Sequence, residues 1–85
     1  MPETIKLDYP FTYQGREISE LQMRRPKVRD RRLASRKATD AEREIELVAM
    51  LTEQAPEALD EMDAADYEKL TDKLASFFAS SPATP

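Results

Sequence analysis

Apolar and polar residues alternate strictly near the start of the chain, in the stretch IKLDYPFTYQ. The apolar positions are Ile5, Leu7, Tyr9, Phe11 and Tyr13. Successive side chains of a β-strand point to opposite faces, so this period of two predicts a half-buried strand with those five residues toward the core. Pro10 cannot donate a ladder hydrogen bond, which predicts an edge strand or a break into two shorter pieces.

The only glycine of the sequence, Gly15, follows this stretch in a Gln-Gly pair. Glycine adopts the positive φ that tight turns require, so the pair predicts a β-hairpin. The core-facing residues of the return strand would be Ile18, Leu21 and Met23. The three-residue step from Ile18 to Leu21 breaks the period of two, and it predicts a β-bulge near Ser19 and Glu20.

Two helices are predicted after the hairpin. Pro26 suits the first turn of a helix over roughly residues 27–37, which is mostly charged and is therefore expected to be peripheral or to depend on a partner for its order. The sequence TDAE, Thr39 to Glu42, is a capping-box pattern in which both side chains would satisfy backbone N–H groups. It predicts a helix that ends before Pro56. The apolar face of that helix would comprise Ile45, Leu47, Val48, Met50, Leu51 and Thr52.

The last part of the chain predicts a short helical turn and one more helix. Pro56 would begin the turn, with Leu59 and Met62 buried, and Asp63 would cap the helix that follows. The final helix carries apolar residues at steps of three and four, the spacing of one buried stripe. These residues are Tyr67, Leu70, Leu74, Phe77 and Phe78. Phe78 lies at the flank of the stripe and is also a candidate for contact with a neighbouring surface.

Together these elements predict an α+β fold, in which an N-terminal β-hairpin packs on a small bundle of three to four helices. The core would combine the apolar face of the first strand with the stripes of the two long helices. Residues 81–85 carry no periodicity and are predicted to be a disordered C-terminal tail.

Size and composition limit the chemistry of this 85-residue chain. A domain this small has little net stability from its core alone, which favours association with a partner. The sequence contains no Cys, which excludes thiolate metal sites. It contains no His, which excludes the commonest zinc ligand and the usual general base. Its carboxylates lie where helix caps and solvated faces belong, so no catalytic residue, metal ligand or cofactor is predicted. A secretion signal and an apolar run of about 20 residues are also lacking, which predicts a cytoplasmic protein that does not enter a membrane.

Charge is distributed unevenly, with ten basic and five acidic residues through Thr39 and three basic and twelve acidic residues from Asp40 onward. The basic segment, RRPKVRDRRLASRK from Arg24 to Lys37, holds eight of the thirteen basic residues. Such a run is typical of nucleic-acid binding, but it contains no aromatic residue for base stacking and no apolar stripe to anchor a recognition helix. Three alternatives remain: nucleic-acid binding, arginines that neutralise the chain's own acidic helices, and a docking surface for an acidic or mixed-charge protein.

Two long stretches carry a family resemblance, IKLDYPFTYQGREISELQMRRPKVRD and DAEREIELVAMLTEQAPEALDEMDAADYEKL. They resemble the tail assembly chaperones of contractile-tailed phages, in particular the Mu-like family. The resemblance rests on the order of four features: an alternating strand, a glycine turn, RRP before a charged helix, and a second helix followed by PEALDEMD. The likeness extends from about Thr4 to Phe78, and one chaperone-like domain is expected over residues 1–80. The segment RRLASRK is more basic here than the family pattern.

The resemblance implies a phage or prophage assembly factor that acts in the cytoplasm of the bacterial host and is absent from the mature virion. Its partner would be the tape-measure protein, kept soluble until the tail tube polymerises, with the tail-tube protein as a further candidate through a longer frameshifted product. The candidate partner-binding residues are Arg24, Arg25, Arg29, Arg32, Phe77 and Phe78.

Other functions also remain in view. A small nucleic-acid-binding regulator would use residues 24–37, and a minor structural tail component would stay in the particle. Self-association is a further alternative for so small a chain. On the chaperone hypothesis, neither nucleic acid nor a membrane is an expected partner.

Overall fold

A computed structural model describes residues 2–79 as an antiparallel β-hairpin followed by helices. The elements are β1 Glu3–Tyr13, β2 Arg16–Met23, α1 Val28–Ala34, α2 Asp40–Thr52, α3 Pro56–Leu59 and α4 Ala64–Ala79. The hairpin packs on α2 through β2 and on α4 through β1. The predicted α+β fold is thereby confirmed. The predicted tail at residues 81–85 lies outside the described residues, and the domain limits of 1–80 stay a prediction.

A two-residue turn joins the strands, as the Gln-Gly pair predicts. Gln14 and Gly15 have φ of 51° and 77°, and the residues that flank them, Tyr13 and Arg16, pair directly across the hairpin. Positive φ at both central positions is the requirement of a type I′ turn, whose twist matches that of the strands. A Cβ added at Gly15 would meet no atom within 4 Å, so the backbone conformation and not the available space favours glycine there.

The hairpin contains its irregularity on β1 and not on β2. Regular pairing is interrupted so that residues 7–10 of β1 lie opposite the single residue Ser19. The predicted bulge near Ser19 and Glu20 therefore does occur at that level of the hairpin, but the extra residues belong to β1, so the prediction was wrong about the strand. Pro10 falls within the bulge, where its missing N–H costs no ladder hydrogen bond. The pairs on either side of the shift are Lys6 with Glu20 and Phe11 with Ile18.

The bulge turns Tyr9 toward solvent. Its side chain is 59% exposed, although the alternating pattern predicted it on the buried face. Ile5, Leu7 and Phe11 are buried as predicted, and Tyr13 is half-buried against the core. The period of two holds for the regular parts of the strand and fails where the backbone leaves the ladder.

A buried carboxylate of α4 binds the backbone of this bulge. Asp66 is fully buried, and its Oδ1 and Oδ2 accept the N–H groups of Asp8 at 2.9 Å and Tyr9 at 2.8 Å. Lys69 Nζ lies 3.3 Å from the Asp66 carboxylate and 2.9 Å from that of Asp8. Burial alone would raise the pKa of Asp66, but the two N–H groups and Lys69 lower this pKa below its ordinary value. Asp66 is therefore an ionised acceptor that joins α4 to β1.

The core lies between the hairpin and the helices, and the predicted stripes supply most of it. Its strand residues are Ile5, Leu7, Phe11, Leu21 and Met23, and its helical residues are Ala34, Leu47, Val48, Ala49, Leu51, Ala58, Leu59, Leu70, Leu74 and Phe77. Leu70 and Val48 are completely buried at the centre of their helices. The stripe predicted on α4 is confirmed as core for Leu70, Leu74 and Phe77, whereas Tyr67 is half-buried and Phe78 is exposed, so the prediction was wrong for Phe78. Thr52 of α2 is buried with its hydroxyl donating to the Val48 carbonyl at 2.8 Å.

α1 is shorter than the predicted 27–37, and it lies at the periphery of the bundle as predicted. Pro26 precedes the helix and does not sit in its first turn. Ala34 is the one α1 apolar residue in the described core, whereas Val28 is 76% and Leu33 is 43% exposed. Because so little apolar surface holds α1, its position depends on polar contacts that are described below.

Side-chain caps begin both long helices. Thr39 Oγ1 accepts the Glu42 N–H at 3.1 Å, and Asp63 Oδ1 accepts the Ala65 N–H at 2.8 Å. The Glu42 carboxylate accepts the Thr39 hydroxyl at 3.2 Å and does not return to the Thr39 backbone, so half of the predicted reciprocal capping box forms. Glu53, with φ of 56°, ends α2 in a left-handed cap.

We expect Asp66→Ala to lower the free energy of unfolding markedly, because the N–H groups of Asp8 and Tyr9 would be left without an acceptor. The matched control is Asp72→Ala, since Asp72 is exposed on the same helix. This control should leave stability nearly unchanged or slightly higher, through the helix propensity of alanine. Urea unfolding followed by circular dichroism measures both variants. Equal losses in the two variants would contradict the role assigned to Asp66.

Candidate protein-docking site

A groove of about 350 Å³ opens between α1, α2 and α4, and it is named here the three-helix groove. Its apolar lining is Ala34, Leu47, Leu74 and Phe78, and its polar lining includes Arg31, Arg43 and Glu44. Ala34, Leu47 and Leu74 are core residues whose outer surfaces form the floor. Phe78 differs from them because it is 48% exposed. The groove therefore combines a narrow apolar floor with one prominent aromatic side chain at its edge.

Phe77 and Phe78 occupy different environments, although both were predicted partner-binding residues. Phe77 is 8% exposed in the core, with the Arg25 guanidinium 5.1 Å from its ring centroid. Arg25 also donates to the Phe77 carbonyl at 3.3 Å. Phe78 packs instead against Arg31, whose guanidinium lies 5.1 Å from the Phe78 ring centroid. Consecutive residues of a helix point about 100° apart, so one ring completes the core and the other lies at the groove.

Arg24 is engaged within the chain. Its guanidinium binds both carboxylate oxygens of Asp30, at 2.7 Å and 3.0 Å, and Asp30 Oδ2 also accepts the Lys27 N–H at 2.7 Å. Hydrogen bonding to Arg24 lowers the pKa of Asp30 to about 2 against the opposing effect of burial, and the same bond raises the pKa of Arg24. The Arg24 N–H donates to the Leu51 carbonyl at 3.1 Å. Arg24 thus fixes the start of α1 against the end of α2.

Arg29 and Arg32 of α1, and Arg36 just after the end of that helix, are exposed. With Leu33 and Ser35 they line a second depression, and Ser35 lines both this depression and the three-helix groove. Within residues 2–79, the side chains of these three arginines form no ion pair and no hydrogen bond. In the described part of the chain, the residues of the basic segment that form ion pairs are Arg24 and Lys37, and the charge of Arg29 helps to lower the pKa of Asp30.

The acidic helices do not neutralise the arginines of α1. From the basic segment, Lys37 reaches an acidic residue of a later helix in the described part of the chain, with its Nζ 3.7 Å from Glu46 Oε1. Acidic residues after Thr39 form ion pairs with other basic residues; within α2, for example, Asp40 binds Arg43 at 3.0 Å. The interpretation of the basic segment as a self-neutralising surface therefore holds for Lys37 and fails for the α1 arginines.

Glu44 gives the opposite edge of the groove a negative charge. Its Oε1 accepts the Tyr67 hydroxyl at 3.2 Å, and burial followed by the charge of Glu44 raises the pKa of Tyr67. The hydroxyl therefore stays protonated and keeps donating at neutral pH. The groove thus has Arg31 on its α1 side, and on its α2 side it has Glu44 and Arg43, the latter paired with Asp40.

Sequence reasoning missed Arg31 and the floor of the groove. Arg31 lies three residues before Ala34, so helical spacing places the two on one face of α1. That spacing gives no sign that this face meets Phe78, because the contact depends on how α1 packs against α4. Among the predicted residues, the structure brings Phe78 to the groove, Arg29 and Arg32 beside it, and Arg24, Arg25 and Phe77 into internal contacts.

In residues 2–79, no group of three or more acidic side chains could hold a metal ion. No helix in that part of the chain is long and apolar enough to cross a membrane. The groove itself presents an apolar floor, an exposed aromatic ring and charged flanks. The fold is a small α+β domain with this groove on its surface.

The sequence matches a known protein family. The sequence model of the family described as "Phage tail assembly chaperone proteins, E, or 41 or 14" matches residues 4–79 of the 85. The chain belongs to this family of phage tail assembly chaperones, which confirms the resemblance found in the sequence. No curated protein and no solved structure matches the chain. The family implies a non-enzymatic role with protein partners in the tail.

The Arg24–Asp30 pair predicts a loss of stability in acid. A carboxyl whose pKa is lower in the folded chain binds fewer protons there than in the unfolded chain, so acid favours unfolding. The contribution of Asp30 is complete above its ordinary pKa of 3.8 and disappears as pH falls toward about 2. Urea unfolding across this range should show stability decreasing with pH, and Asp66 should contribute in the same direction.

Asp30→Asn isolates the contribution of this pair. At about pH 7 we expect it to lower the free energy of unfolding by about 1–2 kcal/mol, because Arg24 is one-third exposed and solvent screens the pair. Its stability should also depend less steeply on pH below 3.8 than that of the unmodified chain. Asp60→Asn, at an exposed position, is the control and should retain the full slope. An unchanged slope in Asp30→Asn would contradict the pKa assignment.

Proposed function

We propose that the chain binds the tape-measure protein of a phage or prophage tail and keeps it soluble until tail-tube subunits polymerise around it. Membership of the tail assembly chaperone family supports a role at this stage of assembly. The observation that carries the proposal is the three-helix groove, with its apolar floor, exposed Phe78 and adjacent arginines. A long helical protein exposes apolar stripes before assembly, and such a groove can cover part of a stripe by packing helix against helix.

Chaperone action of this kind requires contacts that can be released. The apolar floor is small, so one chaperone would hold its site weakly. Several copies bound along one long partner would together shield it, because many weak contacts give a high combined affinity. Each copy could then be displaced as the tube advances, without any catalytic step or cofactor.

The candidate residues divide into two roles in this proposal. Arg29, Arg32 and Phe78 would contact the partner, joined by Arg31. Arg24, Arg25 and Phe77 would support the site from within, because they hold α1 and the end of α4 together. The chaperone would act in the cytoplasm of the bacterial host, and a longer frameshifted product would bring the tail-tube protein to the same complex.

Co-expression tests the proposal directly. With the tape-measure protein encoded beside this chain, we expect the soluble fraction of the tape-measure protein to rise and the two proteins to copurify. Expression of the tape-measure protein with an unrelated small acidic protein is the control. Absence of a complex together with no gain in solubility would remove the chaperone function as proposed.

Purified virions distinguish a chaperone from a minor structural component of the tail. Quantitative mass spectrometry of particles should detect tail-tube and tape-measure peptides without stoichiometric amounts of this chain. A fixed number of copies per particle would instead support the structural alternative.

A further inference from the structure

We propose that the three-helix groove binds an acidic amphipathic helix of the partner, with the apolar stripe of that helix against Phe78 and its carboxylates against Arg29, Arg32 and Arg36. This inference rests on the proposed function and identifies the kind of segment that the chaperone takes from its partner. The flank of the bound helix that faces α1 would carry acidic residues, and the flank that faces α2 would carry none.

The shape of the groove supports a helix as the occupant. Three helices form its walls, and its floor is the outer surface of Ala34, Leu47 and Leu74. A volume of about 350 Å³ accommodates a few side chains and not a folded surface. An amphipathic helix presents apolar side chains at steps of three and four on one face, so it can insert two or three of them in a row. Phe78 lies at the edge, where an exposed aromatic ring can act as an anchor.

The positive charge on the α1 side indicates that the flank of the bound helix facing it is acidic. Arg29, Arg32 and Arg36 are exposed and form no ion pair within residues 2–79. Arg31 adds a fourth positive charge next to the Phe78 ring. Carboxylates on a docked helix would meet unneutralised guanidinium groups, which favours association and sets the orientation of the helix.

The α2 side has the opposite preference. Glu44 lines that edge and accepts the Tyr67 hydroxyl. Arg43 on the same edge is already paired with Asp40. An acidic residue of the partner would be repelled there, so the corresponding flank of the bound helix should be neutral or basic.

The same features disfavour nucleic acid as the occupant. A phosphate backbone carries negative charge along its whole length and would approach Glu44 as well as the arginines. The floor of three aliphatic side chains suits an apolar stripe and offers nothing that a phosphate or sugar would bind.

Binding to the tape-measure protein by groove variants tests the site. Phe78→Ser should weaken binding at least about tenfold, as expected for an anchor residue. The double variant Arg29→Glu with Arg32→Glu should weaken it about fivefold or more, and this effect should shrink at high salt. Matched controls on the hairpin are Tyr9→Ser, an exposed aromatic residue, and Lys6→Glu with Arg16→Glu, the same change of charge.

The controls should bind within about twofold of the unmodified chain, and circular dichroism should show that every variant is folded. If the unmodified chain binds the tape-measure protein and the groove variants bind equally well, the proposed site is wrong while the proposed function stands. If the unmodified chain forms no complex, the function itself fails.

Synthetic probes test the chemistry of the occupant. The first probe is a fluorescein-labelled helix of about 20 residues with leucines at steps of three and four and glutamates along one flank. The second carries lysines in place of those glutamates, and the third is a labelled DNA duplex of about 20 base pairs. The unmodified chain should bind the acidic helix and lose this binding on Phe78→Ser. Equal binding of acidic and basic helices, or tighter and steeply salt-dependent binding of DNA, would overturn the inference.

Discussion

The hydrogen bonds from the bulge of β1 to Asp66 determine how the hairpin and the helices meet. The bulge leaves two backbone N–H groups outside the ladder, and the buried carboxylate of α4 accepts both. Because this carboxylate lies in the first turn of α4, the start of the helix is fixed against β1. Phe78 follows twelve residues later, about 18 Å along a rigid helix. The position of the groove thus depends on a polar contact at the other end of α4.

A second buried aspartate, Asp30, fixes the start of α1. Apolar burial contributes little there, since within the described residues α1 gives the core only Ala34. The bidentate contact of Arg24 with Asp30 begins the helix, and the contacts of Arg25 with Phe77 tie the preceding segment to α4. These internal contacts leave the remaining arginines of α1 on the surface. In the proposed function, stability and partner binding thus depend on different members of one basic segment.

The sequence predicts the elements of this fold better than the contacts between them. Alternation predicted β1, and steps of three and four predicted the buried stripe of α4, because each pattern follows from local geometry. The role of Asp66 could not be predicted, since it binds residues 58 and 57 positions away. The side of the bulge and the exposure of Tyr9 depend on how the two strands pair, which the alternating pattern of one strand does not specify. The separation of Phe77 from Phe78 could not be predicted either, because the two residues follow Leu74 at steps of three and four and both continue the spacing of the stripe. That Phe78 meets Arg31 required the packing of α1.

In the proposed function, α1 and the end of α4 form the docking surface for the tape-measure protein. Hydrogen–deuterium exchange of the chain, alone and with that protein, tests this assignment most directly. Slower exchange of backbone amides in residues 28–36 and 74–79 on complex formation is the predicted result. Protection confined to the β-hairpin, with both of these segments unchanged, would contradict it.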